Sequence, residues 1–427
     1  MKDEKWYPLE TSAKIYPAIL SPRQPNVYRL ACVLTEDVDP QILQEALNLT
    51  MTRYPSFCVN LKAGVFWFFF QETDKKLKLQ PETDYPCRMI DPTDEDGFLF
   101  RVLWYKRRIS LEVFHVIADG TGGMEFLKTL VYYYLLLSGK PVKPGNNIRT
   151  LETKPTAEES ENSFLRYYDP AIKPDRKDFK ALHYEGTVIP NDGYRAVNCS
   201  VPNQPLVDLA HRYHATVTEY LAALTLRSFC RVLPEPEDKS SLIRISIPIN
   251  LRKLLPSDTL RNFTYFANVG VPYSRAGDSL EDLLTTVQEQ LHEANRKETI
   301  LPRINPNVTA EQNPFLKLAP LGLKQIVLRE AHHVLGDELF TSSLSNMGLI
   351  RLDDSLSEYI DRFEFALSTS DRIPLWLSML SYKDHMNITF SSTIKEKLVE
   401  REFIRGLSAE IDGIVVYTNE IEKGGEE

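Results

Sequence analysis

The stretch Ile109–Leu137 changes its apolar period partway along, and no other feature constrains the fold as tightly. Ile109, Leu111 and Val113 alternate with Ser110, Glu112 and Phe114, the period-two pattern of a pleated strand. The next inward position is His115. Asp119-Gly120-Thr121-Gly122-Gly123 is a turn signal. Met124, Leu127, Leu130, Val131, Tyr134 and Leu135 then recur at helical spacing. A histidine thus ends a strand, and an aspartate sits in the glycine turn before a helix. An imidazole placed there is desolvated on one side and open to a cleft on the other, which suits a general base.

At 427 residues the chain exceeds one ordinary core, and two domains are expected. A net charge of −9 argues against a general nucleic-acid binder, which needs a basic face for phosphates. The amino terminus carries mixed charge and no apolar signal segment, so no secretory signal is expected. The apolar runs Val65–Phe70 and Val131–Leu137 are too short to span a bilayer. Cys32, Cys58, Cys87, Cys199 and Cys230 are odd in number and lack metal-ligand spacing. Reduced thiols, a cytoplasmic location and no metal are the expectations.

Residues Arg29–Thr35 read as the first strand. Asp39-Pro40 opens a helix that ends before Tyr54-Pro55. Val59–Leu61 and Val65–Gln71 read as a hairpin through Lys62-Ala63-Gly64, with Phe66–Phe70 buried on both faces. Phe98–Tyr105 and Ile109–Phe114 form a second hairpin. Pro141–Pro174 lacks periodicity and reads as a long surface connection. Leu182–Val188, Tyr194–Val201 and Leu242–Pro248 are expected strands, and Pro205–His214 and Thr218–Phe229 helices. Asp278 with Glu281 predicts a capping box for the next helix, and further helices run through Phe315–Leu335. Leu339–Ser343 is an expected strand before a turn at Ser345–Gly348. Phe363–Ser368 is another strand, Leu375–Ser381 with Met386–Ser392 a hairpin, and Lys395–Ile411 the closing helix. Glu420–Glu427 is a charged tail.

The hairpin Leu103–His115 aligns with Leu380–Ser392, and Ser392 falls where His115 falls. Two related lobes, one keeping the histidine, would explain the match.

His115-Val-Ile-Ala-Asp119-Gly120 resembles the H-x-x-x-D-G signature of acyltransferases related to chloramphenicol acetyltransferase. Three further blocks are similar to that superfamily and fall in its order. They are Ala46-Leu47 through Arg53-Tyr54-Pro55-Ser56-Phe57, Ile247–Arg252 with Leu260-Arg261-Asn262-Phe263, and Ser345-Asn346-Met347-Gly348. The chain looks most like bacterial alcohol acetyltransferases. It departs from peptide-synthetase condensation domains in carrying Phe114 where those usually have a second histidine. The resemblance implies two α/β lobes, each a mixed sheet with helices, spanning residues 1–190 and 191–427 with an active-site channel between them. It implies acyl-CoA as co-substrate, a small-molecule alcohol or amine as acceptor, and no permanently bound cofactor. A carrier-protein thioester as donor and a non-catalytic binding module are the alternatives.

On that resemblance His115 is the general base, Asp119 is structural and ion-paired to Arg252, and Gly120 contributes its backbone to the oxyanion. Asn250, Arg252, Ser345 and Asn346 are the expected substrate-side residues. Other motifs are set aside. Gly277-Asp278-Ser279-Leu280 reads as a helix start, not a hydrolase nucleophile. Gly120–Gly123 lacks the lysine of a phosphate loop. His332-His333 are adjacent and point apart on a helix. His211 and His214 have no Glu or Cys ligands clustered with them and read as a surface pair.

Overall fold

The Ile109–Leu137 unit folds as its change of period requires. Arg108–Phe114 is a strand and Gly120–Leu137 a helix. The computed structural model describes residues 5–94, 97–173, 175, 179–190 and 193–419. The charged tail from Glu420 onward lies outside them, as do Met1–Glu4 and Pro174 at the end of the expected surface connection.

Two sheets carry the fold. The first runs in the order 360–367, 27–34, 108–114, 100–105 and 80–81. Its central strand Val27–Leu34 is buried at every position, as a strand covered on both faces must be. Helix Gly120–Leu137 lies against it, with helix Pro40–Arg53 alongside. Asp39 caps the latter by accepting from the N–H groups of Gln41 and Ile42. The second sheet runs in the order 264–272, 242–250, 342–349, 375–382, 385–392, 195–202 and 415–418. Helices Val217–Val232, Leu280–Ala294 and Leu398–Ser408 cover it. A small three-stranded sheet (6–8, 68–72, 59–63) stands apart.

One strand crosses between the halves of the chain. Ile360–Leu367 pairs antiparallel with Val27–Leu34 in the first sheet, although its sequence neighbours lie in the second. Side chains of the second sheet hold it there. Ser378 donates to the Phe365 carbonyl at 2.6 Å and Asn387 to that of Phe363 at 2.9 Å, which satisfies polar groups buried where the lobes meet.

Several expectations are corrected. Leu182–Val188 is not a strand; only single bridges form, at Ala181 to Leu242 and Val188 to Ile394. The strand expected at Leu339–Ser343 is Ser342–Leu349, so Ser345–Gly348 lies within it rather than in a following turn. The helix after Gly277 is capped by Ser279, which accepts from the Asp282 N–H, one residue later than the Asp278–Glu281 box. In the run Phe66–Phe70 only Phe70 is buried, and the strand is Phe68–Glu72. Pro141–Pro174 is not merely a surface connection. It sends Glu159 into the core, where Arg53 grips it with two bonds of 2.7 and 2.9 Å. Helix Lys297–Gln312 and strand Thr264–Pro272 were not foreseen. That helix contains Pro302 and Pro306. Pro306 has no N–H for the Pro302 carbonyl, and Asp175 N–H supplies one instead.

On the first sheet Glu112 is buried between Arg29 and Arg101. It accepts from Arg29 Nε at 2.7 Å, Arg101 Nε at 2.6 Å and the Cys87 N–H at 2.7 Å. Burial alone would raise its pKa, but the two guanidinium groups hold it below the usual carboxylate range. Glu112→Ala strands those cations and is expected to cost about 3 kcal/mol of stability. The urea midpoint would fall with an unchanged slope; an unmoved midpoint would show that the Arg29–Glu82 pair suffices.

Candidate active site

His115 is set by the ends of the first sheet's two central strands. It follows Phe114 directly, and its N–H donates to the Asn26 carbonyl at 2.8 Å. Asn26 adopts φ 51° just before strand Val27–Leu34, a conformation asparagine tolerates. Two tyrosines enclose the imidazole. Tyr16 stacks on it with centroids 4.9 Å apart, and Tyr28 meets it edge-on at 5.2 Å.

The ring's hydrogen bonding decides its tautomer. Nδ1 lies 2.7 Å from Asn262 Oδ1. Asn262 Nδ2 donates to the His115 carbonyl at 2.9 Å and to Glu10 at 2.8 Å. An amide whose nitrogen serves two acceptors must turn its oxygen toward the ring. Nδ1 therefore carries the proton, and Nε2 keeps its lone pair. Burial lowers the His115 pKa, while Asp119 and the Asn262 bond pull the other way. The net shift is downward, so the neutral imidazole dominates at neutral pH.

Asp119 sits at the N-cap of helix Gly120–Leu137 and is almost fully buried. Its Oδ1 accepts from the Thr121 and Gly122 N–H groups at 3.1 and 3.2 Å. Its Oδ2 accepts from Arg252 Nη1 at 2.7 Å and from the Phe263 N–H at 3.0 Å. Arg252 also donates to the carbonyls of Thr259 and Arg261. Asn250 accepts from the Arg252 N–H and donates to Thr121 Oγ1. Asn250 and Arg252 thus belong to one cluster with Asp119. Gly122 permits that closeness: a Cβ there would come within 2.1 Å of the Leu260 carbonyl oxygen.

Ser345 and Asn346 are placed differently. Asn346 donates to Thr218 Oγ1 and accepts from the Gly348 N–H, so its amide is engaged away from His115. The pairing with strand 375–382 shifts register between Asn346 and Leu349, and Gly348 takes φ 76°, as a bulge needs. Met347, in that bulge, lies against Gly120 instead. Sequence reasoning missed Glu10, Tyr16 and Tyr28 as neighbours of His115. It quoted Asn262 within a block without a role for it.

A cavity of about 990 Å³ opens between the lobes, lined by Pro25, Cys87, Tyr194, Ser368, Arg372 and Leu398 among others. Pro25 adjoins Asn26, which holds the His115 N–H, and Ser368 bonds the Val27 backbone. His115 itself does not line it.

No family model matches the chain, and no curated protein matches it in sequence. Solved structures do match in fold. Polyketide synthase associated protein 5 from Mycobacterium tuberculosis superposes with a TM-score of 0.61 at 15% identity, over 95% of this chain and 98% of that one. The trichothecene 15-O-acetyltransferase of Fusarium sporotrichioides gives 0.58 at 10%, over 96% and 95%. The starter condensation domain of rhizomide synthetase, solved with C8-CoA and Leu-SNAC, gives 0.59 at 14%, over 95% and 94%. The fold is therefore the two-lobed, chloramphenicol acetyltransferase-like fold of condensation domains. Among the described residues no helix is long and apolar enough to cross a membrane.

Removing either Asp119 or Arg252 leaves a buried charge without its partner. Asp119→Ala and Arg252→Ala are each expected to destabilise by about 3–5 kcal/mol. Thermal unfolding of the singles and the double should show a coupling of about 1–3 kcal/mol; additive losses would mean the pair does not act as a unit.

Proposed function

We propose that the protein is an acyl-CoA-dependent acyltransferase that acylates a hydroxyl group of a small molecule, with His115 as its general base. The observation that carries this reading is the imidazole itself. It sits at a strand end, is held neutral by burial, and bears its lone pair on Nε2 because Asn262 occupies Nδ1. The match in fold to an O-acetyltransferase and to a condensation domain solved with C8-CoA supports the same class.

A neutral hydroxyl is a weak nucleophile, so its proton must leave as the new bond forms. His115 Nε2 takes that proton while the hydroxyl oxygen attacks the thioester carbonyl. The tetrahedral oxyanion is held by the Gly120 N–H, first in the helix Gly120–Leu137; Asp119 engages the next two N–H groups and leaves Gly120 to this task. Collapse breaks the C–S bond, and the departing thiolate takes the proton from the imidazolium. No acyl-enzyme forms. Asp119 and Arg252 keep the turn after His115 in place, and Asn250 ties Arg252 to Thr121. Ser345 and Asn346 serve the acceptor side only through the strand that carries Met347 to Gly120. No cofactor stays bound between turnovers.

Thiol release from short and long acyl-CoAs, assayed against a panel of alcohols and amines, tests the reading. His115→Ala should lose about 10²–10⁴-fold in rate while keeping its fold. Equal turnover by both proteins would remove His115 from the mechanism. Turnover with carrier-protein thioesters alone would move the donor to that class.

A further inference from the structure

Glu10 stands far from His115 in sequence and close to it in the fold. The segment that carries it, Leu9 to Ile19, lies over the site and brings Tyr16 onto the imidazole face. Glu10 is 3% exposed and Asn262 1% exposed. A buried carboxylate is costly unless its oxygens are engaged, and these are. Oε1 accepts from Asn262 Nδ2 at 2.8 Å and from Ser12 Oγ at 2.9 Å, and Oε2 from the Ser12 N–H at 2.6 Å. The Asn262 amide then continues to the ring through Oδ1, 2.7 Å from Nδ1. Carboxylate, amide and imidazole form one unbroken chain drawn from three separate parts of the sequence.

We propose that Glu10 and Asn262 are positioning residues of the reaction: Glu10 fixes the Asn262 amide, and the amide locks His115 in the tautomer that presents an unprotonated Nε2 to the acceptor. This rests on the reading of His115 as base. The alternative orientation of Asn262 would turn its oxygen toward two acceptors, the Glu10 carboxylate and the His115 carbonyl, and its nitrogen toward the ring. That arrangement repels at both acceptors, so the orientation is enforced from both sides. A charge-assisted bond from Asn262 to Glu10 also polarises the amide toward the imidazolium that forms as the proton transfers.

The chain has a pH signature. Burial pushes Glu10 up to about 7, against the opposing bonds from Asn262 and Ser12. The charged and titratable groups facing it are Arg261, whose guanidinium burial lowers to about 10 while Glu10 and Tyr7 offset part of that, and Tyr16, held protonated by burial. His115 faces it through Asn262, and Asp119 acts on both Tyr16 and His115. Burial holds His115 itself below the usual imidazole range. Activity that needs an ionised Glu10 and a neutral His115 therefore rises with pH through a limb near 7, above the limb of the histidine.

Two readouts test this. The first is the ring ¹⁵N spectrum of histidine-labelled protein at mildly alkaline pH, with the His115 signals assigned by their loss in His115→Ala. The wild type should show a protonated Nδ1 and a bare Nε2. Asn262→Ala should shift the balance toward Nε2–H. The second readout is kinetic. Asn262→Ala should lower kcat by up to about 10⁴-fold with little change in KM, as loss of the correct tautomer does. Glu10→Gln keeps the acceptor and removes the charge. It should lower kcat about tenfold and abolish the limb near 7, leaving the lower limb of the histidine. A wild-type His115 carrying its proton on Nε2, or a tautomer unmoved in Asn262→Ala with thermal midpoints intact, would overturn the relay even if the enzyme turns over. The expected tautomers with no turnover on any thioester would uphold the relay and sink the proposed reaction instead.

Discussion

The Asp119–Arg252 pair is the interaction on which the site depends, because it ties the turn after His115 to the end of a second-sheet strand through two largely buried charges. Asp119 belongs to the turn after His115, and Arg252 follows strand Leu242–Asn250 of the second sheet. A lone buried pair would be weak evidence for stability, since desolvation offsets much of the Coulomb gain. This pair is not lone. Asp119 also accepts three backbone N–H groups, from Thr121, Gly122 and Phe263. Arg252 also supplies donors to two carbonyls, those of Thr259 and Arg261. Every lone pair and proton has a use, so the cluster specifies one geometry. The Phe263 bond fixes the backbone beside Asn262, and Asn262 is the residue that reaches the imidazole.

The crossing strand Ile360–Leu367 gives the same junction its rigidity. It is hydrogen-bonded into the first sheet and gripped by side chains from the second. A hinge between independent lobes would not thread a strand through its neighbour. The serines and asparagine of strands Leu375–Tyr382 and His385–Ser392 look out of place in a core until that strand is seen. Ser378 and Asn387 donate to its carbonyls and Ser391 accepts from its Leu367 N–H, and in doing so they set its position.

Where sequence was legible, it was because a local pattern and a tertiary requirement coincided. The change of period at His115 and the Asp39-Pro40 helix start are such places; so is the Asp119–Arg252 pairing, reached through a family resemblance. The capping box slipped by one residue because Ser279 and Asp282 offer the same chemistry as Asp278 and Glu281. Strand Thr264–Pro272 went unread although Tyr265, Ala267, Val269 and Val271 alternate inward; the pattern was present. Helix Lys297–Gln312 was hidden by two prolines, and the N–H that Pro306 lacks is replaced by a donor distant in sequence. Ser345–Gly348 carries turn residues, yet belongs to a bulged strand because Leu375–Tyr382 pairs Ser345 and Asn346 in parallel and picks the strand up again at Leu349. Glu10 gave no signal at all. Its neighbours Ser12 and Asn262 are ordinary residues, and only the fold places it under the imidazole.

A histidine base faces two opposed demands. It must be neutral before it acts, and it must hold a positive charge once it has acted. A carboxylate directly on Nδ1 serves the second demand but raises the pKa and so works against the first. An amide oxygen there orients the ring with a partial charge, and burial can then keep the free base dominant. In this protein the full charge lies one hydrogen bond farther away, on Glu10, and Asp119 acts on the ring from beyond the turn. Moving the negative charges off the ring and into its surroundings reconciles the two demands. It also makes the site dependent on a residue at the start of the chain, since the segment from Leu9 to Ile19 supplies both the distal charge and the aromatic face over His115. On the proposed reading of His115 as base, folding of that segment onto the first sheet is a condition for its working form.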